Sequence, residues 1–430
     1  MKRLIIVCVA LFWFGETSAQ SPTPITPTAK QEVVKRLQEL LVANYISLDT
    51  AKQMSKYIGE RLQSGAYSKV NSSSDFAQTL SADLRHIYRD GHMSIVYNPR
   101  EATGPTDTAA VAAPRPAPDY SFTNNGVRKV EVLYGNVGYL KLNMFVDVSD
   151  AAKATVKAAF GLLQHTGALI IDLRDNGGGD PEMVQYICSY LLPPNTHLND
   201  LYERRTNRTD SFYTYAVDGS EHFQHIPVYV LTSQRTYSGA EECSYDLQTR
   251  QRALIVGENT GGGAHPVEPF PLGHGFVGRI PFACGINPVT GKDWEGTGIH
   301  PDIATSPDDA LQTALLHYFD AQLKSNPAPE LKLKLQWARE LTAGSAQAPV
   351  LSAATLQRYV GAFGDREVKM ENGALYFSNA AGKFLRMAPL TDHVFRLVGY
   401  DYIRMEFSTD GKSLTMRYDD GFSNLLKRKS

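Results

Sequence analysis

Apolar positions along this chain change their period twice, and the changes divide it into three. Between residues 31 and 97, Val34, Leu37, Leu40, Leu41 and Tyr45 recur at helical spacing, as do Met54, Ile58 and Leu62, and then Phe76, Leu80, Leu84 and Ile87. One apolar stripe per 3.6 residues predicts three short helices, a helical N-terminal domain over 31–97 that ends in a strand-like 95–97. From Val130 strands alternate with helices. Strands are expected at 130–133, 137–142, 168–174, 228–231 and 253–256, with helices at 151–163, 182–192, from 238, and at 307–323. That alternation predicts an α/β domain with a largely parallel sheet over 127–323. From Leu351 short alternating runs are punctuated by Asn372-Gly373 and Asp410-Gly411, strong hairpin signals, so 351–430 is expected as a small all-β barrel or sandwich. Residues 98–126, rich in Ala, Pro and Thr, and 324–350, polar with Pro327 and Pro329 and partly helical at 331–341, are expected as linkers.

Composition adds two things. At 430 residues, 43% hydrophobic and 20% charged, the chain has the balance of a globular enzyme of two or three domains. A formal charge of -2 gives no electrostatic ground for a nucleic-acid partner. Lys2 and Arg3, an apolar run from Leu4 to Phe14, and the small residues Thr17-Ser18-Ala19 read as a signal peptide, 1–19. Export to a periplasmic or extracellular location is therefore expected, without a membrane anchor, because no later apolar run reaches about 18 residues. Cys8 leaves with the signal; Cys188, Cys243 and Cys284 are an odd set without CxxC spacing and read as buried free thiols.

The chemistry centres on Thr236-Tyr237-Ser238-Gly239-Ala240-Glu241-Glu242. A strand feeds it and a helix leaves it, so Ser238 stands at a helix N-terminus, and the N–H of Gly239 is free to meet a developing oxyanion. The same serine reads as an ordinary N-cap. Glu241 and Glu242, in the first turn, suit the helix dipole and read as structural. Upstream, Asp172-Leu173-Arg174-Asp175-Asn176-Gly177-Gly178-Gly179 ends the most apolar strand in a glycine turn that permits close approach of a ligand; Asp172 and Arg174 are expected to pair across it. A phosphate cradle is disfavoured, since neither a Walker lysine nor GxGxxG spacing is present. His92, in Arg89-Asp90-Gly91-His92-Met93-Ser94, stands at the edge of the helical domain, where an imidazole also suits a helix dipole.

These segments, with Val256-Gly257-Glu258-Asn259-Thr260-Gly261-Gly262 and Gly296-Thr297-Gly298-Ile299-His300-Pro301-Asp302, resemble in order and spacing the S41 serine peptidases. That family includes tail-specific processing proteases, interphotoreceptor retinoid-binding protein modules and the tricorn core protease. The resemblance spans roughly residues 31–322 and implies a ClpP/crotonase-like α/β core. The processing branch places a lysine about 25 positions after its serine, where this chain has Gly263, so a Ser-Lys dyad is not expected. The tricorn-like branch uses a histidine from the helical region and a later glutamate. Its resemblance implies Ser238 as nucleophile, His92 as general base and Glu295 as the acid that orients it, with Gly239, Gly177 and Gly178 as oxyanion-hole candidates.

Independent chemistry asks for the same types: a serine hydroxyl needs a base titrating near neutrality, and the imidazole needs a carboxylate on its far nitrogen. One departure is Gly91, where tricorn-like enzymes carry a serine before the histidine; Ser94 is the substitute within reach. Residues 98–126 are too short for the PDZ domain that processing proteases insert. A peptide is expected instead to add as a strand along the edge near 261–270, with Gly261, Gly262 and Gly263 binding substrate. His265 and His274 flank that segment. No metal or cofactor is expected. The reading is an exported serine endopeptidase acting on a peptide or protein substrate; the alternatives are an esterase using the same site and a non-catalytic module that binds apolar ligands or peptides.

Overall fold

The structure, a computed structural model, describes residues 23–102, 118–346 and 348–429. The expected signal sequence, 1–19, lies outside them, as does most of the expected first linker. The chain forms two compact units. The second comprises Val132–Gly138, Thr166–Ala168 and Asp308–Ser430, and the first holds the remainder.

In the first unit, helices α1 (Pro27–Asn44), α2 (Leu48–Gln63) and α3 (Ser73–Ile87) follow the three apolar stripes. Thr26, Ser47 and Ser72 cap them by accepting a backbone N–H three residues on. Strand β1 (Ser94–Tyr97) and a single turn, α4 (Pro99–Ala102), complete the helical region. After a short 3-10 turn at Ser121–Gly126 come β2 (Val127–Leu133), β3 (Val137–Leu142), α5 (Asp150–Leu162), β4 (Ala168–Asp172), α6 (Pro181–Leu191), β5 (His197–Glu203), β6 (Arg208–Tyr213), α7 (Glu221–His225), β7 (Val228–Thr232), α8 (Gly239–Thr249), β8 (Leu254–Gly257), β9 (Val267–Gly273), β10 (Phe276–Pro281), β11 (Ala283–Ile286) and β12 (Ile303–Ala304).

The central sheet has the order β12-β8-β7-β4-β3-β2, with β12, β8, β7 and β4 parallel. Every residue of β4 and β7 is buried, as a parallel strand covered on both faces must be. Helices α5, α6 and α8 contribute Phe160, Ile187 and Leu247 to one core with Leu169, Ile171 and Val230.

Two features fix the position of the helical region. Strand β1 pairs antiparallel with β10, Ile95 opposite Gly278. Val34, Leu41, Phe76 and Leu80 of the helices share a core with Leu272, Phe276 and Ile280 of β9 and β10. The helical front and the sheet-based centre are therefore joined by a strand pair and a common apolar core, and His92, two residues before β1, is carried with them. A second small sheet, β11-β5-β6, is a feature the sequence pattern did not predict.

In the second unit, helices α9 (Ala310–Lys324) and α10 (Pro329–Ala346) precede a single turn, α11 (Ala353–Gln357), and eight sequential strands from β13 (Gly361–Phe363) to β20 (Ser423–Lys427). The expected second linker, 324–350, is thus mostly helix: Leu335, Trp337 and Ala338 are buried, and the Arg404 guanidinium lies 4.4 Å from the Trp337 ring centroid. The strands form an antiparallel meander in order β13 to β20. It closes through Gly364 N–H to Lys427 O at 2.9 Å and Lys429 N–H to Ala362 O at 2.8 Å. Closure removes the sheet edges and encloses Phe363, Phe377, Phe395 and Phe407, a barrel with a packed interior.

Candidate active site

The turn after β7 is held to the turn after β4. Thr236 donates its hydroxyl to Leu173 O at 2.8 Å, Ser233 donates its to Arg174 O at 2.6 Å, and the Tyr237 N–H reaches Asn176 O at 3.1 Å. Asp172 and Arg174 pair, as expected, in a two-pronged contact of 2.9 and 2.7 Å. The chain then enters α8 through Ser238, whose φ of 52° and ψ of -122° are unusual for a residue with a side chain. Such a conformation costs on the order of 1–3 kcal/mol and persists only where the surroundings impose it.

Glu241 imposes it. Its carboxylate, fully buried, accepts the N–H of Ser238 at 2.9 Å, of Gly262 at 2.7 Å and of Gly263 at 2.8 Å, and the hydroxyl of Thr260. Burial pushes its pKa up to about 7 against these donors. Glu241 is structural, as expected, but as a hub tying the nucleophile turn to the 260–263 loop more than as a partner of the helix dipole. Glu241→Ala would leave four donors without their acceptor, each worth about 1–3 kcal/mol when buried. The expected loss in denaturant unfolding is about 4 kcal/mol or more, in the range reserved for broken buried networks; a loss below about 1 kcal/mol would refute the hub role.

Gly178 packs directly against the nucleophile turn: a Cβ there would stand 2.7 Å from Gly239 N and 2.8 Å from Ser238 Cβ. Its φ of 99° also suits glycine alone. Its N–H, however, donates to Asn176 Oδ1 at 2.8 Å, which removes Gly178 from the oxyanion-hole candidates. Gly239 and Gly177 remain, their N–H groups without an acceptor among the described residues.

His92 is placed beside this turn. Its ring lies 4.7 Å from that of Tyr237, the residue before Ser238, and its backbone N–H donates to Asp90 Oδ1 at 3.1 Å. Nδ1 is buried without a partner. Burial lowers the imidazole pKa to about 4, with the Asp90 charge opposing and that of His265 assisting, so His92 is neutral at pH 7. Among the described residues no hydrogen bond joins His92 to Ser238. Tyr237 fills the space around the ring: a Cβ on Gly91 would meet its hydroxyl at 2.1 Å, one on Gly263 its Cζ at 2.2 Å and one on Gly261 its Cδ2 at 2.6 Å. This accounts for Gly91, since a serine at that position would collide with Tyr237. Ser94 lies in β1 opposite Arg279 and makes no side-chain hydrogen bond to the site among the described residues.

Glu295 does not reach the His92 ring. Its carboxylate accepts the N–H of Gly91 at 3.1 Å and of Ala264 at 2.6 Å, so it fixes the backbone beside His92 and leaves the imidazole without an acid. A second histidine takes part instead. His265 Nδ1 lies 2.8 Å from Asp90 Oδ2 and Nε2 3.4 Å from Asp293 Oδ2. Burial would lower its pKa, but hydrogen bonds to Asp293 and Asp90 and the charges of Asp90 and Glu295 raise it to about 10, so His265 is an imidazolium. Glu295, third in line for that one positive charge, is pushed up by burial and then by Asp90. Asp90, His265 and Glu295 bring ligand-type atoms within 4.8 Å of one another, a cluster no sequence spacing revealed. Their atoms already serve one another, Tyr45 and the backbone, which fits an ion network better than a metal cage.

The N–H groups of Gly261, Gly262 and Gly263, expected to bind substrate, are all used internally: Gly261 donates to Thr236 O at 3.0 Å and the other two to Glu241. Only Gly263 lines the pocket beside Ser238, together with Gly239, Leu201, Phe212, Glu242 and Trp294. Strand β9, further along the segment where strand addition was expected, is an edge of the sheet β1-β10-β9. His274 pairs with Glu32 at 2.5 Å, apart from the site. Cys188, Cys243 and Cys284 are free thiols; the first two are buried with their sulfurs 4.0 Å apart.

Two family models match this chain. The model of peptidase family S41 covers residues 136–305, and that of the N-terminal domain of Peptidase_S41 in eukaryotic IRBP covers residues 26–133. The chain belongs to peptidase family S41. Among curated relatives, the carboxyl-terminal-processing protease of Picosynechococcus sp. is 34% identical over 168 residues, 39% of this chain and 38% of its own length. That of Synechocystis sp. is 31% identical over 188 residues, 43% of this chain and 40% of its own. The match thus spans about two fifths of the curated relatives' length. Of solved structures, a photosystem II D1 C-terminal processing protease aligns with a TM-score of 0.42 at 17% identity, over 66% of this chain and 94% of that one. The S41 chain described here joins a helical N-terminal region, an α/β core and a C-terminal all-β barrel. Among the described residues no helix is long and apolar enough to cross a membrane.

Proposed function

We propose that the chain is an exported serine peptidase that cleaves peptide bonds through an acyl-enzyme on Ser238, with His92 as general base. The observation that carries this reading is the backbone at Ser238, held at positive φ on the N-terminus of α8, beside a pocket and next to the unused N–H of Gly239. In the first half-reaction the Ser238 oxygen attacks the scissile carbonyl carbon and its proton passes to His92. The carbonyl oxygen becomes an oxyanion met by the Gly239 N–H and the positive end of α8, with the Gly177 N–H as the candidate second donor. Collapse breaks the C–N bond, and the His92 proton leaves with the amine. Water, deprotonated by the same imidazole, then frees the acid and restores Ser238.

A fluorophosphonate probe tests the reading. The purified protein is expected to gain one covalent adduct, mapped by mass spectrometry to the peptide containing Ser238, and to cut members of a peptide library. An adduct on another serine, or none, would remove the nucleophile; an adduct without peptide cleavage would direct the search to esters.

A further inference from the structure

Beside Ser238 the chain builds a pocket that has a chemical preference of its own. Its walls come from elements far apart in sequence: Leu201 of β5, Phe212 of β6, Gly285 of β11, and Trp294 from the loop that follows. Its polar groups are Asn199 and Glu242, 4% and 9% exposed. Asn199 donates from Nδ2 to Glu242 Oε1 over a long 3.4 Å. That contact leaves Asn199 Oδ1 buried with no partner. Glu242 lies one residue past the hub Glu241 on α8, yet it has none of that residue's backbone donors. Among the described residues no lysine, arginine or histidine forms an ion pair with it; Arg250, the next cation along the chain, pairs with Asp246 at 3.6 Å, and Arg235, the preceding one, with Asp175 at 2.5 Å.

A buried carboxylate with one long hydrogen bond and no counter-charge is costly, and so is a buried amide oxygen with no donor. Both belong to the same small pocket, and that pocket opens at the nucleophile. Neither carries out a step of the acyl-transfer chemistry, and neither supports the strained turn. What they lack in common is a donor, and for Glu242 a positive one. Gly285 lines the pocket beside Asn199: a Cβ there would stand 3.4 Å from Asn199 Nδ2 and 3.5 Å from both Asn199 Oδ1 and Trp294, in contact with the amide that lacks a donor.

We propose that this pocket receives the side chain on the acyl side of the cleaved bond and selects a basic one, lysine or arginine. Its aliphatic stem lies along Leu201, Phe212 and Trp294, and its cationic end meets Glu242 and Asn199 Oδ1. The stem burial and the charge pairing use the two halves of the pocket separately, as a side chain with an apolar stem and a charged tip allows. This inference rests on the peptidase reading and deepens it, since it names the residue after which cleavage falls.

The test uses the full chain and substrates alone at first. A peptide library generated by cleavage after acidic residues, so that internal lysines and arginines survive, is digested and its new termini sequenced by mass spectrometry. Peptides differing only at the selected position, lysine, norleucine or glutamate, are then compared by kcat/KM. Lysine is expected to exceed norleucine, its uncharged near-isostere, by about tenfold or more, with glutamate poorest. In Glu242→Gln the lysine-to-norleucine ratio is expected to fall toward one, a ratio that does not depend on how much of the variant is correctly folded. Norleucine cut as well as lysine by the wild-type protein, or a ratio unmoved in the variant, overturns the pocket assignment while leaving the peptidase reading intact. Failure to cut any peptide overturns both.

Discussion

Ser238→Ala is expected to lower kcat toward peptide substrates by about 10⁴-fold or more, because the variant loses the covalent route altogether. A residual rate of about 10³–10⁴ over the uncatalysed reaction should survive from the oxyanion donors and the pocket, which do not need the hydroxyl. The fold should persist, since the positive φ at residue 238 is imposed by Glu241 through the backbone N–H, an interaction the serine side chain does not make. Steady-state kinetics with matched circular dichroism measures both. A variant that keeps more than about one tenth of the activity would contradict the role of Ser238.

His92→Ala is expected to cost about as much as Ser238→Ala, and the double variant little more than either, since nucleophile and base act as one unit and their losses do not add. Additive losses would place His92 outside the reaction. The imidazole also sets a pH signature. With a folded-state pKa lowered to about 4, chiefly by burial, His92 remains an unprotonated base at pH 5.5, where an ordinary histidine is about nine-tenths protonated. The acid limb of kcat/KM should therefore lie well below 6. The linkage has a definite sign. A depressed histidine contributes stability that is fully present above about 6.5 and is lost as pH falls toward about 4. An acid limb centred on 6.5 would mean that the buried conformation of His92 is not the one that reacts.

Much of this architecture was legible in the sequence because it depends on near neighbours. The stripes of α1 to α3, the unbroken apolar run of β4 and the Asn372-Gly373 turn each carry their own geometry; at that turn both residues have positive φ, 50° and 74°. Pro329 reads as part of a linker, but proline is well accommodated in the first turn of a helix, and α10 begins on it. The small sheet β11-β5-β6 leaves little trace in the sequence pattern because β5 and β6 are largely polar and partly exposed, so their alternation is faint, and β11 is only four residues long. That omission hid the walls of the pocket.

At the site, the residue types could be read and the partnerships could not. Glu295 is expected from the resemblance as the acid that orients His92, yet its hydrogen-bond partners are the backbone N–H groups of Gly91 and Ala264, which leave no mark in side-chain chemistry. The Asp90, His265 and Asp293 network brings together residues 90, 265 and 293, which the sequence separates and the β1–β10 pair and shared apolar core unite. Tyr237 stands in the nucleophile segment with nothing in the sequence to mark its role. Three glycines from two separate segments make room for its ring, which stands against His92.

Catalysis by this route requires His92 to reach the Ser238 oxygen when substrate chemistry is under way, and the distance between them in the phosphonylated protein measures that directly. A crystal structure of the fluorophosphonate adduct, whose tetrahedral phosphorus stands in for the attacked carbonyl carbon, is predicted to place an imidazole nitrogen of His92 about 3 Å from Ser238 Oγ, within hydrogen-bond reach. An adduct on Ser238 with the imidazole still packed on Tyr237, and both ring nitrogens beyond that reach, would contradict it.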